Sequence, residues 1–183
     1  MTLSSSQEAV ALHLRTHAIR TDGPFRLRSG RMSDWYMDAR QTTFSGEGAQ
    51  LVGAAVWEFL DGADAVGGMT MGADPIAMAT ALHAANMGRT LKAFSIRKTA
   101  KDHGTGGRLV GPVGKGDRVA MLEDTTTTGG TLMEAIEVAE KEGLEVIQVV
   151  VLVDRSNGVA ESLVSNHGIA YTAVLRPDDL GIR

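Results

Sequence analysis

Apolar positions in this chain switch between helical and strand periods. Leu132, Ala135, Ile136 and Ala139 recur at i, i+3, i+4 and i+7 while Glu134, Glu137, Glu140 and Lys141 fall mostly off that stripe, which predicts an amphipathic helix. Leu51, Val52, Ala55, Val56 and Phe59 make a broader stripe, with Trp57 off it, and predict another helix over residues 46–60. Ser5 and Glu8, at capping-box spacing, predict a first helix that ends by the Thr21, Asp22, Gly23, Pro24 turn. Asp74 followed by Pro75 reads as an N-cap and first helical position, and residues 159–166 read as a short helix. Between these lie apolar runs near residues 65–67, 91–96, 119–122, 145–153 and 169–175. The fourth, β-branched and broken only by Gln148, suits a strand buried on both faces. Strands alternating with helices from Ala65 onward predict an α/β fold, an open, mostly parallel sheet flanked by helices. Residues 25–40 read as two short extended pieces around a Ser/Gly turn, a small N-terminal hood. One domain is expected, with a hood over about 1–45 and a core over about 46–183.

Composition narrows the function classes. A chain of 183 residues with 43% apolar content can bury a substantial core, and a net charge of −4 speaks against a general nucleic-acid or membrane-surface binder. Zero cysteines exclude disulfides and thiolate zinc sites and agree with a reducing cytosol. The amino-terminal stretch lacks a basic region leading into an apolar segment, and no run approaches the ~20 apolar residues needed to span a bilayer, so a soluble, unprocessed, cytoplasmic protein is expected.

The chemistry concentrates in residues 118–142. An apolar strand leads into Glu123 and Asp124, four threonines (Thr125, Thr126, Thr127, Thr128), Gly129 and Gly130, and then the amphipathic helix. Thr131 with Glu134 has capping-box spacing, so the helix is expected to start at Thr131 and to aim its free N–H groups into the Thr/Gly loop, where a phosphate monoester would accept them. Two carboxylates beside such a loop repel a bare phosphate, but they suit a ligand that also donates hydroxyls, as a ribose 5-phosphate does. The plain alternative is a strand-turn-helix junction with solvated acids. Neither G-x-G-x-x-G after this strand nor G-x-x-x-x-G-K-[ST] occurs.

Two other segments bear on the same pocket. Residues 98–117 hold six glycines and little periodicity, with Arg97, Lys98, Lys101 and His103 crowded at the start. That arrangement is expected of a flexible lid, basic where it meets a polyanion, rather than of a solvated charged loop. The GGMTMGADP stretch is a second strand-loop-helix junction suited to a phosphate group. Asp154 and Arg155 end the β-branched strand, where open parallel sheets bind ligands and where surface ion pairs are also common. His13 and His17, four apart, have no third metal ligand in sight and read as packing or surface residues.

Together these motifs resemble the phosphoribosyltransferases, and RKTAKDHG, the acidic-pair loop, Asp154-Arg155 and the F-x-L-x-S-G of residues 25–30 resemble the orotate phosphoribosyltransferases in their actinobacterial style. The resemblance implies the type I phosphoribosyltransferase fold and transfer from phosphoribosyl pyrophosphate (PRPP) to orotate, giving orotidine 5-monophosphate and pyrophosphate. It gives Arg97, Lys98, Lys101 and His103 to pyrophosphate, with Lys101 and His103 catalytic. Glu123 and Asp124 go to the ribose hydroxyls, Thr125–Thr131 with Gly129 and Gly130 to the rest of PRPP, and Thr127 and Arg155 to orotate. Arg28 stands where the family has Lys, a replacement that keeps the charge but not its shape. Thr70 and Met71 stand where the family has Tyr and Lys, leaving backbone N–H groups for pyrophosphate. The resemblance further implies Mg²⁺ bound with PRPP near Glu123 and Asp124, without direct protein ligation, and a homodimer sharing its lids. A phosphoribosyltransferase for another base and a non-catalytic PRPP-sensing regulatory domain are the alternatives.

Overall fold

The computed structural model describes residues 2–26, 30, 32–101 and 107–182; Arg28, Arg31, Asp102, His103 and the side chain of Lys101 lie outside the described residues. Helix α1 (Ser5–His17) starts with a capping box one residue earlier than the sequence predicts. Ser4 Oγ accepts from the N–H of Gln7 at 3.2 Å and Gln7 Oε1 accepts from the N–H of Ser4 at 2.9 Å. The Gln7 amide also donates to the carbonyl of Val174 at 2.6 Å, which glutamate could not do.

The hood comprises β1 (Ile19–Arg20), β2 (Phe25–Arg26), β3 (Met32–Ser33) and β4 (Tyr36–Met37), with β2 antiparallel to β3 and β1 antiparallel to β4, so it is more segmented than two extended pieces. Helices α2 (Arg40–Thr43) and α3 (Gly46–Trp57) lead into the sheet. There follow β5 (Ala65–Met69), α4 (Ala73–Asn86), β6 (Lys92–Lys101), β7 (Gly107–Val110), β8 (Arg118–Thr126), α5 (Gly130–Lys141), β9 (Glu145–Asp154), α6 (Val159–Ser165), β10 (Ala170–Leu175) and a 3-10 turn at Pro177–Leu180. Six strands form one sheet in the order β10-β9-β8-β5-β6-β7, parallel throughout except for β7.

Alternation along the central strands sorts side chains to two faces. Ala120, Leu122, Val150 and Leu152 pack with Val10, Leu14, Val52 and Ile76 of α1, α3 and α4. Val119, Met121, Val149 and Val151 pack with Leu132, Ile136 and Val164 of α5 and α6. The mostly parallel sheet covered on both faces is the one expected. His13 is a packing residue, 8% exposed, with its Nδ1 3.1 Å from Thr42 Oγ1.

Several local expectations are corrected. The stretch 98–117 is not structureless where described: β6 continues to Lys101 and β7 returns antiparallel, with Ser95 opposite Val110 and Lys101 opposite Gly107. β7 is an edge strand and β6 runs past its last pairing with β5 at Ile96, so each needs only one paired side there and tolerates charge, and Arg97, Lys98 and Arg108 fit although no apolar alternation announces them. Strand β8 runs through the acidic pair to Thr126 rather than stopping at Leu122. Helix α5 starts at Gly130 after Gly129, whose φ of 78° makes the turn, and no side chain caps it; Glu134 pairs instead with Arg108 at 2.5 Å. Helix α4 likewise starts at Ala73, so Asp74 lies in its first turn and accepts from Thr70 Oγ1 at 2.6 Å.

The chain direction diverges between β5 and β8. From β5 the chain crosses by α4 to β6 on one side, and from β8 it crosses by α5 to β9 on the other, with α4 and α5 on opposite faces. Gly67 and Gly68 let this join close, since a Cβ on Gly68 would run into the carbonyl oxygen of Leu122 and one on Gly67 into that of Phe94. Gly68→Ala should therefore cost about 1–3 kcal/mol by overpacking and lower Tm by roughly 3–10 °C in a calorimetric scan; an unchanged Tm would show that the join has slack.

Candidate active site

Divergence of the crossovers leaves a crevice beyond the carboxyl ends of β5 and β8, the place where open α/β sheets bind ligands. A cleft of about 400 Å³ occupies it, walled by Met69, Thr70, Met71 and Gly72 after β5, Glu123, Asp124, Thr125 and Thr131 from β8 and α5, Lys98 from β6, and residues 36–40 of the hood. Gly72 is needed here because a Cβ on it would sit 2.7 Å from Asp124 Oδ1. The Thr70–Met71 peptide bond is cis.

The carboxylates occupy unlike environments. Glu123 is 7% exposed, and burial, reinforced by the neighbouring charge of Asp124, pushes its pKa up to about 8. Asp124 is half-buried, and its Oδ1 accepts the N–H of Thr125 at 2.7 Å. Cations stand nearby: Lys98 favours the ionised form of Glu123, and Arg40, bound to Asp38 at 2.7 Å, has its pKa raised mainly by Asp38 and further by Asp124.

A smaller hollow of about 110 Å³ opens from the same cleft, bounded by Glu123 and residues 125–131. Thr126 is buried and shapes it from within, its Oγ1 accepting the N–H of Gly129 at 3.2 Å. Thr127, Thr128, Gly130 and Thr131 are exposed at its rim. The N-cap Gly129 supplies no side chain to α5, and among the described residues the one side-chain contact of its first-turn N–H groups is the long 3.5 Å bond from the Gly130 N–H to Thr128 Oγ1, so this end remains able to serve an anion. Two carboxylates, a hydroxyl rim and a helix N-terminus thus meet at one strand end.

On the other side of the threonine loop a cleft of about 330 Å³ is lined by Thr127, Asp154, Arg155, Asn157, Trp35 and the segment 176–178. Arg155 leaves β9 just where its N–H donates to the carbonyl of Thr126 at 2.8 Å, so the second cleft is fixed to the first. Asp154 does not pair with Arg155; its Oδ1 accepts the N–H of Ser156 at 2.7 Å. Burial lowers the pKa of Arg155, and its guanidinium carbon lies 4.3 Å from the Trp35 ring centroid.

Of the residues singled out in the sequence, Lys98, Glu123, Asp124, Thr125 and Thr131 share the main cleft, and Thr127 and Arg155 share the second. Arg97 does not line the main cleft; its carbonyl accepts from Arg108 Nε at 2.6 Å. Sequence reasoning missed Trp35, Tyr36, Arg40 and Arg176 as cleft residues. A basic, aromatic run was visible at residues 35–40, but only pairing of β1 with β4 carries it to the sheet's mouth.

Among the described residues no group of three or more His, Asp or Glu could cage a metal. The adjacent carboxyl groups of Glu123 and Asp124 nevertheless suit a hydrated divalent cation held mainly by a phosphorylated ligand, because Mg²⁺ keeps several waters and needs only one or two carboxylates. No helix of the described residues is long and apolar enough to cross a membrane.

A comparison with protein-family models finds no match. Orotate phosphoribosyltransferase of Streptomyces avermitilis is 45% identical over 163 residues, covering 87% of this chain and 89% of that protein. The Aquifex aeolicus orotate phosphoribosyltransferase is 37% identical and covers 97% of this chain and 99% of its own. Among solved structures, Mycobacterium tuberculosis orotate phosphoribosyltransferase in complex with PRPP superposes with a TM-score of 0.80 at 33% identity, covering 97% of this chain and 99% of that one. Identity of this size over nearly the full length, on a chain that folds into the same sheet and gathers the acidic pair, threonine loop and Arg155 at its mouth, makes the chain a member of the orotate phosphoribosyltransferase family.

Proposed function

We propose that the protein transfers the 5-phosphoribosyl group of PRPP to orotate, releasing orotidine 5-monophosphate and pyrophosphate in de novo UMP synthesis. The observation that carries the reading is the adjoining pair of clefts at the end of β8, one suited to a ribose phosphate and the other walled by a desolvated guanidinium. A zero-cysteine chain suits a reducing cytoplasm.

In the reaction the bond from the anomeric carbon to pyrophosphate oxygen breaks, pyrophosphate keeps the electron pair, and a ring nitrogen of orotate bonds to that carbon. Charge stabilisation and water exclusion serve this step better than a nucleophilic side chain, so no covalent enzyme intermediate is needed. Residues 127–131 hold the 5-phosphate by hydroxyls and backbone N–H groups, and Glu123 and Asp124 accept from the ribose hydroxyls. Mg²⁺, bound with PRPP beside these carboxylates, supplies neutralisation of the pyrophosphate charge. Lys98 serves the leaving pyrophosphate from the main cleft; Lys101 and His103 are assigned to it by family resemblance, as is Arg97 although it lies off this cleft, with residues 98–117 as the lid, and Thr127 and Arg155 take orotate. An orotate carboxylate, planar and anionic, matches a guanidinium fork. The experiment is direct: orotate absorbance should fall on adding PRPP and Mg²⁺, and Arg155→Ala should raise the orotate KM about ten- to a hundredfold with the PRPP KM nearly unchanged. A wild type inert toward orotate would refute the assignment, and equal loss for both substrates would remove Arg155 from the base.

Hydroxyl donors favour the ionised carboxylate, so PRPP binding should lower the Glu123 pKa from about 8 and release a proton. Affinity for PRPP with Mg²⁺ should then rise as pH increases from 7 toward 8, by at most about tenfold per unit, and level off above, a window beyond the ligand phosphate's own pKa of ~6. Titration calorimetry in buffers of different ionisation enthalpy checks the proton release, and Glu123→Gln should abolish it; a pH-independent wild type would mean that Glu123 is already ionised.

We further propose a homodimer. Met78 and Leu82, one turn apart on α4, are 53% and 59% exposed, with Met71 and Met87 exposed at its two ends, an apolar face that a second copy would cover. Sedimentation should give twice the chain mass, and Leu82→Glu should shift it toward monomer with the far-ultraviolet circular dichroism unchanged; a monomeric wild type would exclude the interface.

A further inference from the structure

Arg155 is held in an unusual way for a surface-derived cation. Among the described residues no carboxylate pairs with its guanidinium, and the adjacent Asp154 is turned to the Ser156 N–H at 2.7 Å. What it meets is the indole of Trp35, its guanidinium carbon 4.3 Å from the ring centroid. The main chain that carries the indole is itself held. Ser33 Oγ donates to the Trp35 carbonyl at 2.8 Å and accepts the Trp35 N–H at 3.4 Å, closing the turn between β3 and β4.

A guanidinium lying over an aromatic face has one flat side covered, while its N–H groups, which lie in its plane, stay available at the edge. The π face replaces part of the hydration that burial removes without neutralising the charge, as a carboxylate would. The side chain is thereby limited in rotation and left charged toward the 330 Å³ cleft. We propose that Trp35 is a positioning residue for the base: it holds Arg155 so that its fork meets a planar carboxylated ring edge-on, and it makes the hood part of substrate selection. This rests on the orotate reading above. It extends that reading to a residue five strands before the phosphate loop in the chain.

The chain contains two tryptophans, and the other, Trp57, stacks near His83 with ring centroids 6.3 Å apart, so Trp57→Phe leaves Trp35 as sole reporter. Steady-state kinetics with orotate and PRPP are measured for wild type, Trp35→Phe, Trp35→Leu and Trp35→Ala. Expected is a rise in the orotate KM of about three- to thirtyfold for Leu and Ala, PRPP KM within about twofold, and substantial rescue by Phe, which keeps a π face while Leu keeps only bulk. In Trp57→Phe protein, titration with orotidine 5-monophosphate, which carries base and phosphate together, should change Trp35 emission saturably, and Arg155→Met should remove most of that change. A wild type inactive on orotate sinks the reading and this inference together. An active wild type whose Trp35→Leu variant keeps its orotate KM, or whose Trp35→Ala variant raises both KM values alike, sinks the inference alone.

Discussion

Parallel pairing of β5 with β8 is the constraint from which the site follows. Ala65, Val66 and Gly67 pair with Val119, Ala120 and Met121, so the two strands end side by side while their crossovers depart to opposite faces. A cleft remains among the described residues where the two ends part, and each strand delivers its own loop to it: Thr70 to Gly72 from one, Thr127 to Gly130 from the other. Gly68 of β5 and Gly72 of the loop after it belong to the same constraint. Close approach of Gly68 to the Leu122 carbonyl and of Gly72 to Asp124 fixes how far apart the two loops stand, and with it the size of ligand they span.

That geometry makes the electrostatics unequal by design of the backbone rather than by choice of side chain. Glu123 lies on the part of β8 that the sheet still covers, so burial holds its proton up to a pKa of about 8, whereas Asp124 next to it faces the cleft and is only half-buried. A pair of fully ionised neighbours would repel one another; a pair of which one is poised to lose its proton can accept hydroxyl donors and a cation together when the ligand arrives. The hood adds Arg40, and β6 adds Lys98, so the negative pair stands among cations from separate elements.

The order of strands and helices was legible because burial on both faces leaves long apolar runs, as at Glu145–Asp154, and because α5 shows its stripe plainly. Acidic pair, threonine loop and Arg155 could be read too, since each sits at a strand end. Capping was less legible. The sequence offers Thr131 with Glu134, but Gly129 can adopt positive φ at no steric cost and starts the helix earlier, which frees Glu134 for Arg108. Ser4 with Gln7 prevails over Ser5 with Glu8 because Gln7 also reaches Val174 in the last strand, a tertiary contact no local spacing encodes. The β6–β7 pair was hidden for a related reason: an edge strand buries little, so its polar, glycine-rich sequence carries no period to detect. Trp35 and Arg40 were visible as residues and silent as site residues, since their position depends on β1 meeting β4.

The two clefts differ in how firmly they are tied to the sheet, and this bears on how the reaction is divided among them. The Arg155 N–H bond to the Thr126 carbonyl and the Thr126 hydroxyl bond to the Gly129 N–H join base cleft, strand β8 and phosphate loop into one hydrogen-bonded unit. Asp154 and Ser156 extend it into α6, where the N–H of Ala160 donates to Ser156 Oγ at 3.0 Å. The two clefts are therefore built from parts that are hydrogen-bonded together, as the proposed joining of a ring nitrogen to an anomeric carbon demands. The leaving-group side is built otherwise. Lys98 stands on β6 beyond its last pairing with β5, where the edge strand β7 is its neighbour, and β7 is anchored by Arg108 to Arg97 and Glu134. The hydrogen-bonded unit carries both clefts, and the side of the sheet toward β7 brings the positive charge of Lys98 to the first of them.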